Sequence, residues 1–281
     1  MLSGDAVMNW VESFLCEDVG QGDITTLALV GSETGTARIK TNEACVLAGL
    51  DEAIEIFRHL GIQAVPLAED GDTVAAEASV LSIEGPLRAI LTGERLALNM
   101  LMRMSGIATI TQGIVHACRQ RNPASLVAAT RKTTPGFRKF EKKAVALGGG
   151  DPHRYGLDDA ILIKDNHIAV VGSITESVKR AKKVSFTKKV EIEVEDLGGA
   201  EEAAKAGADI ILLDNMSPEE ARRCTEAVRR VNDRIIVEAS GGITPENAPD
   251  YAEVVDVVSL GWITHSARAV HFSLNVLEVR Y

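Results

Sequence analysis

The segment ATRKTTPGFRKFEKKAVALGGGDPHRYGLDDAILIKDNHI, at 129–168, concentrates side chains that could bind an anion. Forked or paired N–H donors, which suit carboxylates, come from Arg131, Arg138, His153 and Arg154. Compact ammonium charges come from Lys132 and Lys164. Three successive glycines at 148–150 would let the backbone approach a ligand closely. The segment therefore predicts a site for a small, strongly anionic ligand.

The distribution of charge is consistent with such a site. The net charge of −10 makes nucleic acid an unfavoured partner for this chain. Within residues 131–164, however, Lys and Arg outnumber Asp and Glu, so the rest of the chain is more acidic than the average. A basic island in an acidic protein is typical of a site for an anionic small molecule. A solvated run of charges would give the same counts, so charge alone leaves both interpretations open.

Carboxylates at two strand ends could accompany these cations. In VEIEV (190–194), alternation places Glu191, Glu193 and Glu195 on one face of a predicted strand. A buried strand has no favourable place for three carboxylates, so at least one should point into a site, unless all three lie on a solvated edge. Asp214 follows the apolar run DIILL, where a lone Asp is commonly a loop cap. Two strand-end acids among cations favour a site that contains Glu193 and Asp214.

Two glycine-bearing turns resemble phosphate-binding loops. EASGGI (238–243) leaves a predicted strand through Ser240, Gly241 and Gly242 and enters a predicted helix start at Thr244. SLGWITHS (259–266) repeats this arrangement around Gly261. Exposed backbone N–H groups and a helix dipole at such turns can hold a phosphate. Any strand-to-helix turn can use glycine, so the repetition in successive units carries the prediction.

These residues follow short apolar runs that alternate with amphipathic stretches. The runs are SLVAAT (125–130), AILI (160–163), VEIEV (190–194), DIILL (209–213), IIVEA (235–239) and VVDVVSL (254–260). Such alternation is typical of parallel strands in βα units, and the spacing favours an α/β barrel over an open doubly wound sheet. Six strands are clear, so the barrel is either incomplete, with six or seven strands, or hides further ones. The carboxyl ends of strands, where barrel active sites form, then carry Arg131, Lys132, Lys164, Glu193, Asp214, Ser240, Gly241, Gly242 and Gly261.

Two helix N-termini are predicted in the barrel region, and the first hundred residues show a different pattern. Ser217-Pro218-Glu219-Glu220 predicts a capped helix start, and Thr244-Pro245-Glu246 repeats the pattern. TARIKTNEACVLAG and GDTVAAEASVLSIEG predict extended segments on either side of a helix at DEAIEIFRHLG. We expect a smaller N-terminal α+β domain over residues 1–105 and the α/β barrel over 106–267. The C-terminal tail, 268–281, is an option for packing with the first domain.

A long helix is predicted from residue 87 to about 103. Its apolar stripe consists of Leu87, Leu91, Leu98 and Met102, and Arg95 falls within it. An arginine on an apolar face either extends outward to water or meets an anion across an interface. The residues alone favour the first interpretation.

Several protein classes are disfavoured by composition. No stretch approaches the ~20 apolar residues of a membrane helix, and residues 1–20 lack the basic start of a signal peptide. The four cysteines form no CxxC pair, which predicts reduced core thiols in a cytoplasmic protein. They are Cys16, Cys45, Cys118 and Cys224.

The chain resembles the quinolinate phosphoribosyltransferase family over nearly its whole length. The matching motifs are EDVGQGDITT, GERLALN, SGIAT, ATRKTTPG, GGGDPHRYGL, LIKDNHI, VEIEVE, LLDNMSPEE, EASGGIT and SLGWITHS. They occur in order from residue 17 to 266, and the long central group is the most specific. One departure is His271 in AVHFSL, where the family usually has an Asp.

The resemblance implies transfer of phosphoribosyl from phosphoribosyl pyrophosphate to quinolinate. The products are nicotinate mononucleotide, pyrophosphate and carbon dioxide, in NAD biosynthesis. The implied quinolinate-binding residues are Arg131, Lys132, His153, Arg154 and Lys164. Glu193 and Asp214 would face the ribose, and the phosphate would lie at Ser240, Gly241, Gly242 and Gly261. The implied catalytic residues are Lys132, Lys164, Glu193 and Asp214.

The resemblance also implies a cofactor and an oligomer. Mg²⁺ would accompany pyrophosphate without fixed protein ligands, with Glu193 and Asp214 nearby. The protein would be a homodimer, or a higher oligomer built from it, in which Arg95 enters the neighbour's site. This replaces the interpretation of Arg95 as a solvated side chain.

Two other functions stay open at this level. Lys164 at a strand end could be a Schiff-base nucleophile, as in barrel aldolases, although the neighbouring cations favour anion binding. A molybdenum-transport-associated relative of the family, or another anion-binding protein, is the second alternative. In that relative the central motifs are altered, whereas ATRKT and KDNH are intact here.

Overall fold

A computed structural model describes residues 10–281, so the first nine residues of the predicted N-terminal domain, and of the stretch compared with signal peptides, lie outside it. The helices are α1 (Trp10–Val19), α2 (Ile24–Leu29), α3 (Leu50–His59), α4 (Leu87–Arg121), α5 (Arg138–Leu147), α6 (Asp165–Val171), α7 (Ile174–Lys182), α8 (Leu197–Ala206), α9 (Pro218–Val231), α10 (Ala248–Ala252) and α11 (Trp262–His265). The strands are β1 (Thr34–Thr41), β2 (Cys45–Val46), β3 (Gln63–Pro66), β4 (Thr73–Val74), β5 (Ser79–Pro86), β6 (Leu126–Ala129), β7 (Ile161–Ile163), β8 (Val190–Val194), β9 (Ile210–Asp214), β10 (Ile236–Ser240), β11 (Val257–Leu260) and β12 (Phe272–Arg280).

The chain divides into two compact units. The first contains the residues up to Thr109 together with Arg268–Tyr281, and the second contains Ile110–Ala267. The first unit is built on an antiparallel sheet in the order β12-β1-β5-β3, with β2 and β4 as a separate pair. Alternate residues of β1, including Ala37 and Ile39, are buried, as one covered face of a sheet requires.

The second unit is built on a parallel sheet in the order β6-β11-β10-β9-β8-β7. The six strands lie where the six apolar runs predicted them, and the α/β class is confirmed. A parallel bridge between Ala128 and Asp151 adds one residue of a further strand beside β6. The incomplete barrel with six or seven strands therefore describes this sheet.

The helix predictions have mixed outcomes. Ser217 caps α9, accepts from the backbone N–H of Glu220 and forms a capping box with it, as predicted. The prediction of a helix start at Thr244 is wrong, because α10 begins at Ala248 after a turn whose Asn247 side chain accepts from the Thr244 N–H at 2.8 Å. The predicted helix at 87–103 is too short, because α4 continues to Arg121.

The cysteine prediction holds for three residues and fails for one. Cys45, Cys118 and Cys224 are buried free thiols, whereas the free thiol of Cys16 is exposed on α1. Within residues 10–281, no helix combines the length and apolar character needed to cross a membrane.

Candidate functional site

A cavity of about 460 Å³ opens at the carboxyl ends of the parallel strands. Residues two apart on one strand face the same side, and successive strands each contribute such a pair. The pairs are Leu162 and Lys164, Glu191 and Glu193, Leu212 and Asp214, and Glu238 and Ser240. The remaining lining residues are Ala129, Thr130, Arg131, Lys132, His153, Arg154, Asn215, Gly241 and Gly242. Buried apolar residues such as Val190 and Ile192 occupy the opposite face, so alternation along each strand creates the site.

The rim of the cavity carries an ion pair between neighbouring strands. The Lys164 Nζ donates to Glu193 Oε2, joining the ends of β7 and β8. Asp214 lies on the next strand, β9, and accepts from the side-chain amide of Asn215 at 2.6 Å. Burial, followed by the charge of Glu193, raises the pKa of Asp214 above its usual value. Two strand-end carboxylates thus concentrate negative potential at one side of a cation-lined cavity.

The floor of the cavity contains a half-buried imidazole between two buried carboxyl groups. The Nε2 of His153 lies 3.5 Å from an oxygen of Glu191 and 3.5 Å from an oxygen of Glu238. The backbone N–H of Arg154 donates to His153 Nδ1 at 2.8 Å, which assigns the ring proton to Nε2. Its hydrogen bond with Glu238 raises the pKa of His153, while burial opposes that shift. The imidazole is therefore fixed at both nitrogens.

Glu191 is the most perturbed carboxyl group of the site. Burial, followed by the charge of Glu238, raises the pKa of Glu191 to about 8. His153, Arg154 and Lys164 act in the opposite direction without cancelling this shift. A neutral acid near pH 7 is thus expected at the floor.

The guanidinium groups of the site have unused hydrogen-bonding capacity. The Nε of Arg131 is buried and has no hydrogen-bond partner among residues 10–281. Arg154 donates to the backbone oxygen of Ala160 at 3.3 Å. Burial, followed by the charge of Arg131, lowers the pKa of Arg154. An anion in the cavity would satisfy the free Arg131 donor and relieve the repulsion between the two cations.

The turn after β10 is shaped by a close backbone approach. Gly241 has a φ of +89°, and a Cβ there would lie 2.3 Å from Asn215 Oδ1. Asn215 has a φ of +54° and donates its N–H to the backbone oxygen of Ser240 at 2.9 Å. The predicted contribution of a helix dipole is weak here, because α10 begins at Ala248 and has only 5 residues. Backbone N–H groups of the turn are then the main donors for a phosphate.

The second glycine turn supports Lys132 and does not line the cavity. A Cβ on Gly261 would lie 2.7 Å from Lys132 Cδ, so only glycine leaves room for that side chain. The Thr264 hydroxyl donates to the backbone oxygen of Lys132 at 2.8 Å. Gly261 therefore contacts the site through Lys132.

Two other expectations differ from the structure. Arg138 donates to Thr133 Oγ1 and to the backbone oxygen of Tyr155, and does not line the cavity. The glycines at 148–150 are also absent from its lining, and a Cβ on Gly150 would lie 2.7 Å from Thr111 Cγ2, so Gly150 serves packing. Arg95, on α4, is exposed, which matches the interpretation that its side chain extends outward to water.

Sequence reasoning did not find Glu238 and did not separate Glu191 from its strand neighbours. Both lie two residues before a predicted strand-end residue, Ser240 and Glu193 respectively. The period of two along a strand could have indicated them. The expectation that at least one carboxylate of β8 points into a site is met by Glu191 and Glu193, whereas Glu195 is exposed.

The floor cluster has donor atoms that could suit a metal, but its surroundings do not. One donor atom from each of His153, Glu191 and Glu238 lies within 4.8 Å of the others. The positive charges of Arg154 and Lys164 act on the Glu191 carboxyl group, and they would repel a metal ion bound there. The cluster is better suited to protons.

Models of a single family match the chain almost from end to end. The N-terminal domain of quinolinate phosphoribosyl transferase matches residues 23–105, and its C-terminal domain matches residues 107–275.

Individual proteins are similar to this chain over most of its length. A probable nicotinate-nucleotide pyrophosphorylase [carboxylating] of Methanothermobacter thermautotrophicus is 48% identical over 96% of this chain and 99% of its own length. The human nicotinate-nucleotide pyrophosphorylase [carboxylating] is 39% identical over 95% of this chain and 90% of its own. The structure of the nicotinate-nucleotide pyrophosphorylase of Francisella tularensis matches with a TM-score of 0.88 and 39% identity, covering 95% of both chains.

Proposed function

Because this chain belongs to the quinolinate phosphoribosyl transferase family, we propose that its cavity joins quinolinate to the phosphoribosyl group of phosphoribosyl pyrophosphate. The reaction releases pyrophosphate and carbon dioxide and yields nicotinate mononucleotide, a step of NAD biosynthesis. The chain is a nicotinate-nucleotide pyrophosphorylase (carboxylating), a pentosyltransferase.

One observation carries the assignment of the dicarboxylate to this cavity. The buried Arg131 Nε lacks a hydrogen-bond partner in the described part of the chain, and Lys132, Arg154 and Lys164 belong to the same lining. An unpaired buried donor costs about 1–3 kcal/mol, and a substrate carboxylate would satisfy it. His153 completes the proposed binding set from the floor.

The strand-end carboxylates suit the transfer step. The pyridine nitrogen displaces pyrophosphate at the anomeric carbon, and positive charge develops on the ribose ring. Glu193 and Asp214 stabilise that charge without forming a covalent bond. The turn at Ser240, Gly241 and Gly242 holds the 5′-phosphate, and Gly261 keeps Lys132 in place. The carboxyl group next to the nitrogen then leaves as carbon dioxide, because the quaternised ring accepts the electron pair.

Mg²⁺ is proposed as the cofactor because the leaving group is pyrophosphate. Hard oxygen donors are its preferred ligands, and the phosphate oxygens of the substrate supply them. The ion neutralises charge that builds up on the leaving group. Glu193 and Asp214 contribute negative potential nearby, and no fixed protein ligand is assigned.

A homodimer with Arg95 entering the neighbouring subunit's site is part of the proposal, with a higher oligomer as an option. The guanidinium of Arg95 is exposed in the single chain and so is free to contact another molecule. We also propose a cytoplasmic location, which suits an NAD-biosynthetic enzyme with four free cysteines.

Neither alternative function is favoured. The Lys164 Nζ donates to the Glu193 carboxylate, and this ion pair disfavours a role as Schiff-base nucleophile. The names of the relatives support the phosphoribosyltransferase and not a molybdenum-transport-associated protein.

Turnover decides the function. The purified protein is mixed with quinolinate, phosphoribosyl pyrophosphate and Mg²⁺, and nicotinate mononucleotide and pyrophosphate are quantified by chromatography. Equimolar formation of both is expected, and it should require all three additions. Lack of product, or trapping of Lys164 by borohydride with a carbonyl compound, would contradict the proposal.

A further inference from the structure

The charges that line the cavity balance when every carboxyl group is ionised. Four cations line it: Arg131, Lys132, Arg154 and Lys164. Four carboxyl groups also line it: Glu191, Glu193, Asp214 and Glu238. With a neutral imidazole the sum is zero, which gives a dianionic substrate little net attraction. Within one chain, a proton held by the site makes the cavity net positive, and the proposed Arg95 of the partner subunit would add to that charge.

The floor is where that proton is best held. Glu191 and Glu238 are 2% and 3% exposed, and their oxygens belong to the cluster whose donor atoms lie within 4.8 Å. Two carboxylates this close and this buried repel each other strongly when both are ionised. In addition, Glu191 Oε1 is buried without a hydrogen-bond partner, which is costly for an ion and tolerable for a neutral acid.

The imidazole above the pair needs one carboxylate and not two. His153 accepts at Nδ1 from the Arg154 N–H, so its single ring proton, on Nε2, points towards both carboxyl groups. One ionised carboxylate accepts that proton, and the imidazole then has no further N–H to donate to the second carboxyl group. A pair that carries one proton matches this hydrogen-bonding capacity.

Charged groups on several elements affect whether Glu191 is ionised or protonated. Glu238 on β10 disfavours a second charge, whereas His153, Arg154 and Lys164 favour it. Lys142 on α5 acts indirectly, because its charge opposes protonation of His153. Burial and Glu238 outweigh these three groups, so the pKa of Glu191 rises to about 8.

We propose that the Glu191–Glu238 pair holds one proton when the dicarboxylate binds, and that loss of this proton at alkaline pH weakens quinolinate binding. This inference rests on the proposed function of the site. The two residues are positioning residues, because they act through His153 and through the charge of the cavity.

The test is the pH dependence of the KM for quinolinate between pH 7 and 9.5. If only the protonated pair binds, the wild-type KM rises towards tenfold per pH unit above about pH 8. Glu191→Gln keeps the shape of the neutral acid and has no proton to lose, so its KM should stay within about twofold across this range. Glu238→Gln should flatten the profile in the same way, because the proton belongs to the pair.

A matched control comes from the surface of the barrel. Glu226 is exposed on α9 and does not line the cavity, so Glu226→Gln should keep the wild-type profile. A Glu191→Gln enzyme that retains the alkaline rise in KM would overturn the inference. A wild-type KM that does not change between pH 7 and 9.5 would overturn it as well.

A second measurement counts the proton directly. Calorimetric titration of quinolinate at pH 8.5, in two buffers of different ionisation enthalpy, should give an uptake of about 0.8 proton by the wild type and none by Glu191→Gln. Binding without proton uptake by the wild type contradicts the inference alone. A wild-type enzyme without turnover instead contradicts the proposed function.

Discussion

Lys142 donates to the backbone carbonyl oxygen of Pro152, the residue directly before His153. The side chain is fully buried, and its Nζ lies 5.4 Å from the ring centroid of Tyr155. Burial, followed by the charge of Arg138, lowers the pKa of Lys142 to about 8. Burying this charged group lowers the stability of the fold. Its hydrogen bond, however, fixes the backbone that carries two cavity residues, His153 and Arg154.

Replacing Lys142 should change the pH dependence of the free energy of unfolding and, independently, weaken the binding of quinolinate. Between about pH 8 and 10.5 the folded chain binds fewer protons at Lys142 than the unfolded chain does, so the free energy of unfolding rises with pH. The destabilisation by Lys142 is therefore largest below pH 8 and decreases as the pH rises towards 10.5. The stability of Lys142→Met relative to wild type should therefore fall by about 1–3 kcal/mol from pH 7 to pH 10. The KM for quinolinate should rise because Pro152 loses its donor. Chemical denaturation checks the first expectation, and exposed Lys139→Met, which should show neither effect, is the control.

Adding a methyl group to Gly241 should damage the proposed phosphate turn. A Cβ there would lie 2.3 Å from Asn215 Oδ1 and 2.7 Å from Asn215 N, at a φ of +89°. Gly207 has a φ of +87°, and a Cβ there would meet nothing within 4 Å, so Gly207→Ala matches the backbone strain alone. Gly207→Ala should lose about 1 kcal/mol of stability, and Gly241→Ala should lose more because its Cβ also overlaps Asn215. Only Gly241→Ala should lose at least about tenfold in kcat/KM for phosphoribosyl pyrophosphate.

Substrate specificity should depend on the second carboxylate. Nicotinate lacks it, so some of the converging cations would stay unpaired. Each lost contact would cost on the order of 2–4 kcal/mol of binding free energy. We predict that kcat/KM is lower for nicotinate than for quinolinate by at least about a hundredfold. Competing the two acids in one assay measures the ratio directly. Comparable turnover of both would show that the cavity does not select a dicarboxylate.

The two residues of the Lys164–Glu193 ion pair should affect different kinetic constants. Lys164→Arg keeps the charge but alters its geometry, so it should mainly raise the KM for quinolinate. Glu193→Gln keeps the shape but removes the charge that stabilises the ribose cation, so it should lower kcat by at least about tenfold. Steady-state kinetics with both substrates varied separates these effects. A wild-type kcat in Glu193→Gln would make Glu193 a structural residue.

Mixed dimers test the proposed role of Arg95 between subunits. Arg95→Ala and Glu193→Ala should each be nearly inactive as homodimers. In a mixed dimer, one site combines an intact barrel with an intact Arg95, and the other site carries both lesions. After random exchange at equal amounts, activity should recover to roughly a quarter of wild type. The two variants are refolded together and exchange is verified by mass spectrometry; verified exchange without recovery would exclude a shared site.

Local signals in the sequence determined the strands, the barrel class and many of the cavity residues. Alternation in VEIEV identifies Glu193 because the period of two is a property of a single strand. The capping box at Ser217 and Glu220 is equally local and forms as predicted. At Thr244 the same kind of signal failed, because a turn uses those backbone groups before α10 begins.

Only the tertiary structure decided which of these residues act together. Glu191 on β8 and Glu238 on β10 are separated by β9, so in a flat sheet their strands would be about 9.6 Å apart. The curvature of the sheet brings their carboxyl groups into one cluster with His153, whose donor atoms lie within 4.8 Å. The resulting repulsion and burial move the pKa of Glu191 to about 8. No local pattern encodes that value, because it arises from residues 38 and 47 positions away along the chain.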